Sequence, residues 1–255
     1  MPILRSSLLF ALALGACGSA APAPDAPARA TVAACEQRRF EGSSFTACRY
    51  DRRRHRIALF LDGRGGRLRS LAALEAELGP RAGTLRFAMN AGMFDERGGP
   101  IGLYVADGSE RHRISRRAGP GNFGMLPNGL LAVDGEGRVA IVTSARYDPA
   151  SRPQWATQSG PMLVIDGALH PAIQPNGRSL NVRNGVGVAD PDTAWFVISD
   201  EPVSFGRLAR LFRDLLGCRN ALYFDGSVSS LWDRPAGRRD ARAELGPIVA
   251  VFDKD

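Results

Sequence analysis

Residues 220–230 read NALYFDGSVSS, and this stretch decides how the fold is interpreted. Residues suited to a buried strand run directly into Asp225, Gly226 and a loop rich in hydroxyl groups. An ionised carboxylate at the end of a dry strand is costly unless it is paired or hydrogen-bonded. Asp225 is therefore either a turn-former, because Asp-Gly turns are common, or a working group of a site.

Three upstream segments are built in the same way. They are NAGMF at 90–94, QSGP at 158–161 and RNGVG at 183–187, and each places glycine and a polar side chain beside an apolar strand candidate. Glycine lets the backbone approach a ligand closely, and the N–H groups of that backbone can then hold an anion. Each segment alone is explained by an ordinary strand-end turn. Together with residues 225–230 they predict one site.

In this order and at this spacing, the four segments resemble the phosphodiester glycosidase family, and more closely a bacterial branch of it. The family pattern is Asn-Gly-Gly-Phe, Ser-Gly-Pro, Arg-x-x-x-Gly and Asp-Gly-Gly-Gly-Ser. The resemblance covers roughly residues 55–252 and departs from the pattern at residues 225–228, where DGSV replaces the triple glycine. It implies a hydrolase that cleaves the phosphodiester bond of a sugar phosphate.

The resemblance and the chemistry of these residues assign candidate roles. Asp225 is expected to act as nucleophile or base, Arg183 to hold the phosphate with its bidentate fork, and Asn90 to orient oxygen atoms of the substrate. Replacing Arg183 is expected to weaken binding while sparing the fold. The residues expected to bind the substrate are Ser159, Gly160, Gly92, Asn184, Gly226 and Ser227. Asp200, which follows a strand candidate, is a candidate second carboxylate.

Apolar runs of strand length and few helical patterns predict an α+β fold, a single domain on a mixed, largely antiparallel sheet with a few short helices. Asp-Gly and Asn-Gly pairs at 107–108, 128–129, 134–135 and 166–167 are interpreted as hairpin turns. One helix is expected after Ser70, and another carries apolar residues at helical spacing from Leu208 to Leu216.

The N-terminus resembles an export signal. Arg5 precedes a short apolar stretch, and LGAC at 14–17 resembles the lipoprotein box in which Cys17 receives lipid. The alternative is plain signal cleavage near residues 21–23. Our assignment is a signal peptide at 1–16, an Ala/Pro-rich tether at 17–34 and the glycosidase-like domain at 35–255. The protein is expected in the periplasm or cell envelope, lipid-anchored to a membrane.

Export makes disulfides possible. Cys35 and Cys48 bracket a plausible hairpin, so the preferred pairing joins these two and leaves Cys218 as a free, buried thiol. The formal net charge is +7, and the densest basic run is RRRHR at 52–56. In an exported protein nucleic acid is a poor partner, and such a run is better explained as a solvated strand edge than as a contact with anionic lipid or polysaccharide.

Several other chemistries are disfavoured by the sequence. GPGNFG at 119–124 matches the dinucleotide fingerprint but contains Pro120 and lacks the flanking strand and helix. The three histidines have no metal-ligand spacing, and no Gly-x-Ser-x-Gly elbow occurs. We therefore expect no cofactor and no metal.

The sequence leaves three functional hypotheses. The first is an exported hydrolase that cleaves a sugar-phosphate or related glycosidic bond in envelope or extracellular glycans. The second is a non-catalytic, anionic-glycan-binding envelope lipoprotein, because the same glycine loops and arginine would serve it. The third is a structural envelope lipoprotein. The expected partners are a sugar phosphodiester or envelope polysaccharide and, through the lipid anchor only, a membrane.

Overall fold

Short apolar runs ended by glycine-containing turns give the chain many short strands. The computed structural model describes residues 33–254. Its first ten strands are β1 (Cys35–Phe40), β2 (Ser43–Asp51), β3 (His55–Phe60), β4 (Asp62–Gly63), β5 (Gly66–Arg67), β6 (Leu85–Asn90), β7 (Tyr104–Ala106), β8 (Ser109–His112), β9 (Gly129–Val133) and β10 (Val139–Thr143).

The second half of the chain adds nine more strands. They are β11 (Trp155–Ser159), β12 (Met162–Ile165), β13 (Ala168–Leu169), β14 (Asn184–Asp190), β15 (Thr193–Ser199), β16 (Asn220–Tyr223), β17 (Leu231–Asp233), β18 (Arg238–Arg239) and β19 (Ile248–Asp253). The signal peptide, Cys17 and most of the predicted tether lie outside the described residues.

The helices begin and end where the sequence signals them. Helix α1 (Leu71–Leu78) is capped by Ser70, whose hydroxyl accepts from the Ala73 N–H, and Gly79 follows it. Helix α2 (Phe205–Arg210) continues as a π turn over Leu211–Leu215 before Gly217, which has a φ of 65°. Among residues 33–254, neither helix has the length and apolarity of a membrane span.

The strands form three main sheets and one short ribbon. The seven-stranded sheet has the order β1-β2-β15-β14-β16-β12-β13, and the first five-stranded sheet has the order β10-β9-β11-β7-β8. The second five-stranded sheet has the order β18-β17-β6-β19-β3, and β4 pairs with β5. The described chain is thus one mixed domain of mainly antiparallel sheet, more strongly β than the predicted α+β class implies.

The core is layered between sheets and helices. The largest cluster lies between the sheets, where the rings of Phe87 on β6 and Phe196 on β15 are 5.4 Å apart. A second cluster packs α2 on the outer face of the seven-stranded sheet, and a third packs α1 against β6 and β19. The seven-stranded sheet and the second five-stranded sheet, which we call the two central sheets, are each covered on both faces. The ends of their strands are therefore held rigidly where the two sheets meet.

One predicted hairpin turn is wrong. Asp107-Gly108 and Asp166-Gly167 adopt the positive φ angles that tight turns need, but Gly129 begins β9 and pairs with Thr143 and Ser159. Asn128 is fully buried, and its Oδ1 accepts hydrogen bonds from Ser144 and Gln158. The Asn-Gly pair therefore starts a central strand rather than joining two strands.

The predicted disulfide is confirmed. Cys35 and Cys48 are opposite each other in the β1–β2 hairpin and are joined, 13 residues apart in sequence. Cys218 is free and buried, and burial raises the pKa of its thiol to about 12. A thiol in that environment is inert, so Cys218 is not a nucleophile.

We expect the free energy of unfolding of the Cys35→Ala/Cys48→Ala double variant to be about 3 kcal/mol lower than that of the wild type, because the crosslink no longer restricts the unfolded chain. Urea denaturation measures the loss. Reductant should lower the stability of the wild type by a similar amount and leave the double variant unchanged. A reductant effect of equal size in the double variant would mean that another bond is responsible.

Candidate functional site

Two buried asparagines join the two central sheets. Asn90 is the last residue of β6 and Asn184 the first residue of β14. The Asn184 side-chain Nδ2 donates to Asn90 Oδ1 at 2.9 Å and to the Asn90 main-chain oxygen at 3.1 Å. Both residues are almost fully buried. Two candidate site residues that are 94 positions apart in sequence therefore share hydrogen bonds.

The same amides fix the loop that carries Asp225. Asn90 Nδ2 donates to the main-chain oxygen of Asp225 at 2.7 Å, and the Ser230 N–H donates to Asn90 Oδ1 at 2.8 Å. The Asp225 N–H donates to the Ala91 oxygen at 3.2 Å. Asn90 thus holds both ends of the 225–230 loop. These hydrogen bonds satisfy its amide and explain how a polar side chain can be buried at the end of β6.

Asp225 caps a short 3₁₀ turn over Gly226–Val228. Its Oδ1 accepts from the N–H and the hydroxyl of Ser227, at 3.2 and 2.5 Å. Within residues 33–254, its other carboxylate oxygen has no hydrogen bond and no cation pairs with the group. Asp225 is half-buried at the surface of the loop. One oxygen is thus anchored while the other is available for chemistry.

Arg183 is 1% exposed and serves as a buried cation beneath this loop. Its Nε donates to the Val203 oxygen at 2.9 Å and its Nη2 to the oxygen atoms of Ser179 at 3.0 and 3.1 Å. The guanidinium also stacks 3.6 Å from the centre of the Phe205 ring. In the described chain no carboxylate pairs with it, and burial lowers the pKa of the guanidinium from its ordinary value.

The burial of Arg183 changes one expectation. A fork already bound to protein oxygens does not grip a phosphate bidentately in this state. Replacing a buried, hydrogen-bonded charge normally costs stability as well as function, so we no longer expect substitution of Arg183 to spare the fold.

Tyr223 connects Arg183 to the loop. The Arg183 Nη1 donates to the Tyr223 hydroxyl at 3.2 Å, and that hydroxyl would lie 1.7 Å from a Cβ at Gly226. Burial raises the pKa of the phenol above its ordinary value, and the positive charge of Arg183 opposes that shift. Gly226 is thus required because the phenol fills the place of a side chain.

Tyr223 and Phe205 are site residues that lie outside the predicted set. The sequence predicts Tyr223 only as part of a buried strand, and its hydroxyl is the available signal, because a buried phenol normally has a hydrogen-bond partner. Phe205 had no such signal. Phe205 lies 22 positions after Arg183 and 18 before Tyr223, a spacing that matches no motif, and only the folded chain places its ring 4.6 Å from that of Tyr223.

Ser159, Gly160 and Gly92 form a neighbouring group. A Cβ at Gly92 would lie 2.1 Å from Thr157 Oγ1, so the loop after Asn90 passes directly against β11. Ser159 is fully buried at the end of β11, and within residues 33–254 its hydroxyl has no hydrogen-bond partner. Gly160 packs against Asn128 and the backbone at 122–123. No direct hydrogen bond joins this group to Asp225 in the described chain.

Asp200 belongs to a different network. Its Oδ1 accepts from Thr46 at 2.8 Å and lies 3.3 Å from Nη1 of Arg238, which also pairs with Asp240. These contacts tie β2 to β18 and involve none of Asn90, Arg183 or Asp225. Between residues 33 and 254, no three His, Cys, Asp or Glu side chains are arranged to hold a metal ion.

Within residues 33–254, a rigid amide network, a carboxylate with one unbonded oxygen and a buried cation without a carboxylate partner thus lie together where two antiparallel sheets meet. The profile described as phosphodiester glycosidase matches residues 83–251, which is more than half of the chain. The protein therefore belongs to the phosphodiester glycosidase family.

The chain is also similar to a bacterial protein of known sequence. The Escherichia coli protein YigE, described as uncharacterized, is 35% identical over 163 residues, which cover 64% of this chain and 63% of that protein. The chain thus spans less than two thirds of the length of this relative.

Solved structures show the same fold. The catalytic domain of zebrafish N-acetylglucosamine-1-phosphodiester alpha-N-acetylglucosaminidase, auto-inhibited by its pro-peptide, has a TM-score of 0.57 at 15% identity and covers 87% of this chain and 82% of that one. A hypothetical protein from Synechocystis has a TM-score of 0.57 at 14% identity, covering 86% and 61%.

We expect Asn184→Asp to destabilise the protein at neutral pH by more than about 2 kcal/mol, because the carboxylate would face two acceptor oxygens of Asn90. Burial and these oxygens would raise the folded-state pKa of the introduced carboxyl. The penalty is then full above that folded pKa and disappears as the pH falls below the unfolded pKa.

Urea denaturation between pH 4 and 8 checks this expectation. Asn181→Asp is the matched control, because Asn181 is exposed in the same segment and should change stability little. Equal losses in the two variants, or a loss that does not depend on pH, would contradict the role of the amide network.

Proposed function

We propose that the protein is an exported hydrolase that cleaves the phosphodiester or a related glycosidic bond of a sugar phosphate in envelope or extracellular glycans. The observation that carries the proposal is the half-buried Asp225 carboxylate, with one oxygen fixed by Ser227 and the other unbonded in the described chain. Membership of the phosphodiester glycosidase family supports the same reaction class.

The chemistry requires little more than this carboxylate. In the base route, Asp225 takes a proton from water, the water oxygen bonds to the anomeric carbon, and the bond from that carbon to the phosphate oxygen breaks. In the nucleophile route, Asp225 first bonds to the anomeric carbon as the phosphate leaves; a water oxygen then bonds to that carbon, the bond to Asp225 breaks, and the water's proton passes to the phosphate monoester or to solvent. In both routes the electron pair leaves with the phosphate monoester, a good leaving group that needs no strong general acid.

Arg183 supports the reaction through charge rather than through a bidentate grip. Its hydrogen-bond acceptors are neutral oxygens of Val203, Ser179 and Tyr223, so its charge is not cancelled by a carboxylate in residues 33–254. A buried cation without a counter-ion favours binding of an anion at the nearby surface. The Tyr223 phenol and the backbone at Gly226 lie between the cation and that surface.

The substrate proposed first is an α-linked N-acetylglucosamine 1-phosphodiester, because the similar zebrafish structure carries that activity in its name. At 15% identity that likeness supports the fold alone, so the sugar is part of the proposal. The non-catalytic anionic-glycan binder is the competing function, and turnover separates the two.

We expect Asp225→Asn to lower turnover of a synthetic N-acetylglucosamine 1-phosphodiester by several orders of magnitude while binding persists, because the amide keeps the shape but loses charge and basicity. Release of the phosphate monoester measures turnover. Asp148→Asn is the matched control, because Asp148 caps the 149–151 turn just as Asp225 caps its own.

Two outcomes would remove the catalytic assignment. Turnover of Asp225→Asn within about tenfold of wild type would make Asp225 a turn residue. Binding by the wild type without any release of product would favour the binding-protein function.

We also propose that Cys17 is lipidated and anchors the protein in the cell envelope, on the basis of the LGAC box at 14–17. Cys17→Ala or globomycin treatment is then expected to block processing of the precursor, which is detected by its larger mass on a gel. Normal processing of the variant would instead support plain signal cleavage near residues 21–23.

A further inference from the structure

A long groove runs beside β3, away from Asp225. It consists of two clefts of about 570 and 680 Å³. Arg81 and Trp155 line both clefts, so the two clefts adjoin at these side chains. Neither cleft is lined by Asn90, Arg183 or Asp225.

The groove follows the free edge of a sheet. Strand β3 is the last strand of its five-stranded sheet and, within residues 33–254, pairs with β19 alone. Its first four residues line one cleft, and Leu59 and Phe60 line the other. The groove is therefore an extended channel about as long as a six-residue strand, which suits a linear polymer better than a compact ligand.

One end of the groove lies close to the candidate site. Ile248 on β19 pairs with Phe60 on one side and with Asn90 on the other. Asn90 and Phe60 are thus two strand spacings apart, about 10 Å. The loop after Asn90 also reaches the groove, where Asp95 and Pro100 line the second cleft. A polymer in the groove would bring its end toward the site.

The lining has the chemistry that sugars need. Trp155 is a half-buried residue that lines both clefts, and an indole ring has a flat apolar face on which a sugar ring can pack. Around it lie planar polar groups that donate to or accept from hydroxyls, including Arg81, Gln154 and Asp134. Cations and carboxylates occur together along both clefts, so the groove does not select for a polyanion.

A peptide fits the groove less well. An extended peptide would add to the free edge of β3 as a further strand. Charged side chains at a sheet edge oppose such addition, and Arg56 and Arg81 stand along this edge.

We propose that this groove binds the glycan chain of a polymeric substrate, with Trp155 as the stacking platform and Arg81 as a hydroxyl-binding group. This deepens the proposed function, on which it rests, by making the substrate an oligosaccharide or polysaccharide rather than a single sugar phosphate.

Indole NMR signals test the proposal directly, because the chain has three tryptophans and Trp155 alone lines the groove. The probes are cello-, chito- and oligogalacturonate hexasaccharides with their disaccharides. At least one hexasaccharide should shift the Trp155 signal and leave the Trp195 and Trp232 signals in place, with its disaccharide binding about tenfold more weakly. No shift with any hexasaccharide at millimolar concentration overturns the proposal, as does a shift produced only by an extended peptide.

Variants give the second arm. Arg81→Ala and Trp155→Leu should each weaken binding of the active hexasaccharide by about tenfold or more. Trp195→Leu is the matched control, since Trp195 is also a half-buried strand residue but does not line the groove. Equal weakening by the control overturns the assignment. Hexasaccharide binding is also measured in Asp225→Asn. Because this measurement does not require turnover, the groove proposal can fail or hold independently of the catalytic proposal.

Discussion

The hydrogen bonds between the amides of Asn90 and Asn184 are the contact on which the site depends. They cross from one central sheet to the other. The side-chain Nδ2 of Asn90 in turn donates to the main-chain oxygen of Asp225 and fixes the loop there. Because both amides are buried, every unsatisfied donor or acceptor would carry a large desolvation cost, so the two strand ends and the loop have one arrangement. The position of the carboxylate is thus set by the packing of the whole domain.

Much of this could be predicted from the sequence. The apolar strand before Asp225, the serine cap of α1 and the cysteines bracketing a hairpin are local signals, and local signals are preserved when the chain folds. The disulfide and the family were predicted correctly, and Asn90, Asn184 and the Asp225 loop do meet. The predicted α+β class understated the sheet content, because many strands here have only two to four residues and leave no clear period.

The rest depends on contacts between distant residues. The burial of Arg183 follows from Phe205 and Val203, which no spacing in the sequence relates to it. Asn128 looked like a turn residue because Asn-Gly is a common turn, yet Ser144 and Gln158 complete its hydrogen bonds inside the core. Likewise Asp200 follows a strand as Asp225 does, and only the position of Arg238 shows that it belongs to an ion pair.

The crosslinked hairpin has a mechanical consequence. Strand β1 lies at the edge of the seven-stranded sheet, and Cys35 is its first residue. A pulling force that enters the described chain at residue 33 passes after two residues into the covalent bond to Cys48, which is in the neighbouring strand. The force therefore reaches β2 through the disulfide, and the hydrogen bonds between β1 and β2 do not have to break one after another. Under tension from the N-terminal side, the edge of the sheet resists as a covalently linked pair of strands.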